Sequence, residues 1–219
     1  MAAGGGRGAP LGTSEPVAAP HRTLDELRTA LADCRRCGHP EPIVPIVSLA
    51  VRPRAMLVGQ APGKVEISSR KPFSGRAGRT LFRWLARAGL DEEEARRKIY
   101  ISAMTRCFPG AHPSGRGDRV PGKAELEQCR SWLESELMLL RPKVIIPVGK
   151  LAIENFLGPV VLSDVVGKAH EIENVGGRSL LIPLPHPSGA SSWIHAPGHM
   201  ALVDQALRLI GEQLRRANS

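Results

Sequence analysis

Apolar residues recur along this chain with two different spacings. Between Thr23 and Asp33 they fall every three or four positions, at Leu24, Leu27, Ala30 and Leu31, which predicts a helix. Thr23 is placed to cap it, with Glu26 three residues on. Short continuous apolar runs follow at Ala55–Val58 and Ile99–Met104, and again at 143–149 and 179–186; each reads as a buried strand. The helical spacing returns between them. Residues 76–89 carry Leu81, Trp84, Leu85 and Ala88 on one face, with Gly89 as the stop. Residues 123–140 form a longer amphipathic helix, 150–158 a short one and 199–216 a terminal one. Strands alternating with helices predict an α/β fold around a mainly parallel sheet of four strands. Phe108–Gly122, rich in Gly and Pro, is the longest irregular ordered segment expected, and loops of that length are usually functional or disordered. No internal repeat is visible.

Two turns stand out against this pattern. "GQAPG" (Gly59, Gln60, Ala61, Pro62, Gly63) follows the first strand, and "HPSG" from His186 follows the last. If those strands are parallel, both turns sit on the rim where open α/β sheets bind ligands. The first turn carries little side-chain bulk, so its amides can approach a flat ligand or a phosphate. It is neither a Walker loop nor a GxGxxG turn. Phe73, just before a Ser74–Gly75 turn, is either a core residue or an aromatic placed to stack on a base. A lone His is more often structural than catalytic, but Pro185 and Pro187 fix the backbone around His186 and a Ser-Gly turn follows, which raises the functional reading.

Composition narrows the partners. The chain has 219 residues, 42% of them apolar, enough for one core. Residues 1–22 are dominated by Gly, Ala and Pro and read as a disordered tail, leaving 23–219 as a single domain. There is no membrane-length apolar run and no signal-peptide core, so a cytoplasmic protein without a membrane partner is expected. Nothing suggests a coiled coil, and a monomer is expected. The net charge of +9 favours a polyanionic partner such as nucleic acid. Cys34 and Cys37 are spaced C-x2-C, and Cys107 and Cys129 lie further on. Four thiolates can hold zinc or an iron–sulfur cluster, and spacing does not separate the two; four unrelated free thiols are the remaining alternative.

Read together and in order, "VGQAPG", "KPFSGRAG", "YISAMTRC", "CRSWLESEL", "KVIIPVGKLAIENFLG" and "HPSG" resemble the uracil-DNA glycosylase superfamily, in its iron–sulfur families 4 and 5. The resemblance runs from Cys34 to the C-terminus. It implies a three-layer α/β/α sandwich and a DNA-repair enzyme, a bacterial or archaeal one associated with the nucleoid, that flips uracil, or another deaminated base, out of DNA. It implies a [4Fe–4S] cluster on Cys34, Cys37, Cys107 and Cys129. Residues Gly59–Gly63 would line the base site and place the water, with Phe73 stacking on the base and Ser74 and Ala103 alongside. His186 would stabilise the departing base, and Pro187, Ser188, Gly189, Ala190 and Ser191 would enter the minor groove.

The departures from the family pattern are informative. Family 4 has an acidic residue where this chain has Gln60, and a neutral amide can position a water but not take its proton. Family 4 has Asn where this chain has Ala103; both changes lean toward family 5, which however tends to have Asp where this chain has Arg76. Glu66 matches an acidic position and is either a base or a backbone anchor. No Lys lies within the motifs, Lys64 falling just past the loop, so a monofunctional glycosylase is expected. The segment before the last cysteine lacks the reactive His of covalently trapping relatives; His112 lies earlier in the loop. Two other readings remain: a uracil-DNA binding protein with little turnover, which Gln60 and Ala103 keep open, and a redox protein in which the cluster is the working part.

Overall fold

A computed structural model of the chain describes residues 21–37, 44–50, 53–114, 117–188 and 192–216. In chain order its elements are α1 (Leu24–Ala32), β1 (Ala55–Gly59), α2 (Lys64–Ser69), α3 (Arg76–Arg87), α4 (Glu92–Lys98), β2 (Ile99–Ala103), α5 (Lys123–Leu140), β3 (Val144–Pro147), α6 (Lys150–Leu157), α7 (Leu162–Val165), β4 (His170–Asn174), β5 (Gly177–Leu181) and α8 (His199–Arg216); a 3-10 turn at Ser192–His195 precedes α8. Most of the expected tail, residues 1–20, lies outside the described residues, as do Gly189, Ala190 and Ser191 of the expected DNA loop.

The sheet has five strands in the order β2-β1-β3-β5-β4, one more than the apolar runs predict. β1 pairs in parallel with β2 and β3, and β3 with β5, while β4 runs antiparallel to β5. The extra strand is an edge. "HEIEN" alternates half-buried and exposed positions instead of forming an apolar run, because only one of its faces meets the core. A two-residue turn at Val175–Gly176 joins it to β5. Gly176 is required there, since a β-carbon would stand 2.2 Å from the carbonyl oxygen of Leu137.

The inner strands are buried on both sides, and their alternation divides the core. Leu57, Ile101 and Ile146 meet Leu81 and Leu85 of α3 and Val203 and Leu207 of α8. Met56, Val58, Tyr100 and Ile145 meet Leu133 and Leu137 of α5 and Ala152 of α6. This is the three-layer arrangement. A smaller apolar group joins Leu27 and Leu31 of α1 to Cys129 and Trp132 of α5. α4 was not visible in apolar spacing; charge defines it. Asp91 caps it by accepting from the Glu94 N–H at 2.8 Å, and Glu92–Glu94 open it while Arg96–Lys98 close it, matching the helix dipole.

The four parallel strands present their carboxyl ends to one rim. From β1 the chain passes first to β2 on one side and then across to β3 on the other, so the crevice between β1 and β3 is the switch point where such sheets take ligands.

Candidate functional site

Two turns on this rim are built to close tolerances. Phe73 has φ 53, a left-handed backbone that is unusual for a bulky residue, and it is fixed from several sides. Glu66, 5% exposed, accepts from the N–H groups of Ser74 (2.8 Å) and Gly75 (3.1 Å) through one carboxylate oxygen. Arg96 donates to the carbonyls of Pro72 (2.8 Å) and Phe73 (3.3 Å), its guanidinium lying 4.4 Å from the centre of the Phe82 ring. Gly78 leaves room for the Phe73 carbonyl, which a β-carbon would meet at 1.7 Å. The Phe73 ring then rests on Gly59, where a β-carbon would stand 2.8 Å from Cζ. Of the two roles open to Glu66, its hydrogen bonds are those of the backbone anchor.

His186 follows the ladder that continues β5 as far as Leu184. Its ring packs on Gly149, where a β-carbon would stand 3.1 Å from Cδ2; φ at Gly149 is +89, so both space and backbone call for glycine. The Ser188 N–H donates to Nδ1 at 3.3 Å, and the Ser188 hydroxyl lies 2.9 Å from the same nitrogen. An Nδ1 that accepts leaves the proton of the neutral ring on Nε2, which is then a donor. Burial pushes the His186 pKa below its ordinary 6.5, favouring that neutral ring.

A carboxylate that no sequence motif marks also reaches this rim. The Gly/Pro-rich segment before α5 is a pinned hairpin rather than an irregular loop. Ala111 and Asp118 form an antiparallel bridge, His112 N–H donates to the Gly117 carbonyl and Arg119 N–H to the Gly110 carbonyl. Arg119 grips Glu125 with two bonds (2.7 and 2.5 Å), and Glu125 also accepts from the Gly122 N–H at 2.6 Å. The hairpin brings Asp118 against the first turn: a β-carbon on Gly63 would stand 2.9 Å from Asp118 Oδ2 and 3.0 Å from Glu66 Oε2. Partial burial, followed by the negative charge of Glu66, pushes the Asp118 pKa up, while the Lys64 backbone N–H and ammonium oppose the shift.

The cysteines gather beside this rim, where β2 exits. Cys34, Cys37, Cys107 and Cys129 line one cavity together with Thr105, Arg106 and Trp132. Burial, followed by the neighbouring Cys129, Cys37 and Cys34, pushes the Cys107 thiol up to about 12. Among the described residues no three His, Cys, Asp or Glu side chains converge tightly enough for a single metal ion. Four thiols around one hollow are a donor set that zinc or an iron–sulfur cluster can take. Thr105 Oγ1 and Trp132 Nε1 are buried without a hydrogen-bond partner among the described residues, as expected of a cavity shaped for a group with acceptor atoms. Behind the cavity, Arg106 and Glu136, each 2% exposed at the side chain, form an ion pair at 2.5 Å. Glu136 also accepts from the hydroxyls of Tyr100 (3.1 Å) and Ser102 (2.6 Å), and Arg106 donates to the Ala103 carbonyl at the end of β2.

A family model described as the uracil DNA glycosylase superfamily matches residues 47–208, which takes in the five-stranded sheet and both rim turns. The chain belongs to that superfamily. It is 31% identical over 197 residues to a type-4 uracil-DNA glycosylase of Archaeoglobus fulgidus, covering 87% of this chain and 92% of that protein. It is 30% identical to a type-4 uracil-DNA glycosylase of Thermotoga maritima, over 62% of this chain and 65% of that protein. It is also 30% identical to a type-5 uracil-DNA glycosylase of Pyrobaculum aerophilum, over 62% and 61% of the two chains. Among the described residues no helix is long and apolar enough to cross a membrane.

Within this superfamily fold, the expected site residues group as follows. Gly59 ends β1, and Gln60, Ala61, Pro62 and Gly63 form the turn after it; the Phe73 ring rests on Gly59, whose β-partner on β2 is Ala103. His186, Pro187 and Ser188 sit at the end of the β5 ladder, while the four cysteines group elsewhere, between α1, the exit of β2 and α5. Arg70, Lys71, Arg76 and Arg79, all exposed and free of ion pairs among the described residues, surround the Phe73 turn, and the one acidic residue between Lys64 and Arg79, Glu66, is buried. Asp118, Arg96 and Gly149 complete the rim; no sequence motif pointed to Asp118 or Arg96, and Gly149 lay within the motif "KVIIPVGKLAIENFLG" without a role assigned to it. Arg96 lay behind a charge-ordered helix, and nothing local marked Asp118.

Proposed function

We propose that this protein excises uracil from DNA by hydrolysing the N-glycosidic bond, leaves an abasic site, and does so without a covalent enzyme–sugar intermediate. The observation that carries this reading is a half-buried imidazole whose Nδ1 accepts, leaving Nε2 as the donor, on the same rim as an aromatic ring seated on a bare glycine. A flat base flipped into the crevice would stack on Phe73 and meet main-chain groups of Gly59–Gly63. His186 Nε2–H would donate to the uracil O2 as the bond to N1 breaks and its electron pair moves onto the base, so the donor acts where charge develops. Gln60 cannot take a proton, but Asp118 can. Its carboxylate lies at the same turn and would accept a proton from the water whose oxygen bonds to C1′. Glu66, committed to two backbone N–H groups, would hold the Phe73 turn. The exposed arc from Arg70 to Arg79 would face duplex phosphates, in keeping with the +9 charge.

The residues around the cysteine cavity fit a [4Fe–4S] cluster, held by Cys34, Cys37, Cys107 and Cys129. When bound, the cluster supplies a cross-link between the N-terminal segment, the exit of β2 and α5, and takes no part in breaking the glycosidic bond.

The test uses uracil-containing single- and double-stranded oligonucleotides with the iron-loaded protein. Free uracil by chromatography, alkali-labile abasic sites and no borohydride-trapped adduct are expected. Selective retention of uracil DNA with no base released would replace the enzyme by a recognition protein, and the absence of both would overturn the reading.

A further inference from the structure

We propose that Thr105 and Trp132 are hydrogen-bond donors to the iron–sulfur cluster and set its reduction potential. The inference rests on the cluster reading above and adds what this chain's own side chains do to the group. Both residues line the cavity that the four cysteines line. Thr105 is 2% exposed and Trp132 5% exposed, and Thr105 Oγ1 and Trp132 Nε1 have no hydrogen-bond partner among the described residues. An indole N–H can only donate, so it cannot be satisfied by a neighbouring donor. A buried donor left unmade costs about 1–3 kcal/mol, and two beside one hollow point to acceptors that belong in it. The sulfurs of a cluster are acceptors of that kind.

The indole is held, not loose. His21 stacks on it with ring planes 3° apart, and the Arg36 guanidinium lies 4.7 Å from its ring centre. Thr105 is held by its neighbours along the chain, because the Arg106 side chain is locked to Glu136 and to the Ala103 carbonyl. Hydrogen bonds to cluster sulfurs stabilise the more negative, reduced state and raise the potential, and their removal lowers it. Thr105 also donates its own backbone N–H to the Gln60 carbonyl at 3.3 Å, so the residue that faces the cluster is tied through one peptide to the turn that faces the base.

The experiment compares wild type with Thr105→Val, Thr105→Ser and Trp132→Phe in DNA-free protein. Iron and sulfide content, absorbance near 400 nm and the midpoint potential from protein-film voltammetry are read. Thr105→Val and Trp132→Phe are expected to shift the potential to more negative values and to bleach several-fold faster under oxidant, while Thr105→Ser, which keeps the hydroxyl, stays at the wild-type potential. Fully loaded variants with unchanged potentials would overturn the proposal alone; a wild-type preparation without iron and sulfide would overturn the cluster reading with it. Should Trp132→Phe not fold, the Thr105→Val and Thr105→Ser pair decides: equal potentials would sink the donor role, and a shift in Val only would support it.

Discussion

The chain contains His-Pro-Ser-Gly twice, at residues 112–115 and 186–189, and the two copies have different surroundings. Locally they are alike. In each, the Ser N–H donates to His Nδ1, at 3.2 Å for Ser114 and 3.3 Å for Ser188, and the Ser hydroxyl lies within 2.9 Å of the same nitrogen. The tetrapeptide therefore sets the tautomer in both. His112 stands exposed on the hairpin before α5, whereas His186 ends a buried strand and lies on Gly149. The motif supplies a ring with its donor nitrogen selected; only the sheet supplies the dry surroundings in which that donor gains strength. A short motif is thus half of a site.

The sharpest test removes each ring in turn. His186→Ala should lower uracil release by about 10²–10³-fold, the usual scale for a donor to a developing anion, and His112→Ala should leave it within about twofold. Equal losses would erase the distinction between the two copies. Next comes Asp118→Asn, expected to cost roughly 10²-fold in kcat/KM if a proton acceptor is lost. The pH profile gives the sign. Partial burial, then Glu66, raises the Asp118 pKa, so its basic form is depleted at a higher pH than that of an ordinary Asp. His186, lowered by burial, stays neutral below 6.5. Asp118→Asn should therefore remove the contribution of Asp118 to the acid limb of wild type; a limb that is unchanged would assign it elsewhere. A smaller effect is expected from Gly149→Ala. Its β-carbon would press on the His186 ring, and its φ of +89 strains alanine by about 1–3 kcal/mol, so thermal stability and turnover should fall together. The smallest is electrostatic. Replacing Arg76 and Arg79 by Ala should flatten the log–log salt dependence of duplex binding by roughly 0.9 for each phosphate no longer neutralised, with kcat unchanged. Removing Arg54 and Lys143 at the opposite end of the sheet should leave that slope alone.

Much of this was legible in the residues. The four apolar runs became β1, β2, β3 and β5, since strands buried on both faces read as apolar runs, and the two glycine- and proline-rich turns met on one rim because those strands are parallel. β4 was not legible because an edge strand needs only one apolar face and Ile172 alone supplies its centre. α4 could have been found from Asp91, the acidic start and the basic end, without any apolar stripe. Asp118 was beyond reach for another reason. Its role depends on a hairpin folding back onto a turn far away in sequence, and no local spacing encodes that approach. The same holds for Gly149, whose need for a missing side chain becomes apparent only once His186 lies on it.

The pinned turn at Phe73 has a bearing on substrate choice. Its carbonyl is tied to Arg96, the following amides are tied to Glu66, and the ring leans on bare backbone. That wall is in place before any nucleotide arrives, so an incoming base does not have to supply the entropy of ordering it. If the base stacks on Phe73 as proposed, a surface that cannot yield would also act as a gauge: rings of the wrong thickness or outline would be turned away by shape alone, and relaxing either tether would widen the range of bases admitted before it slowed the preferred one.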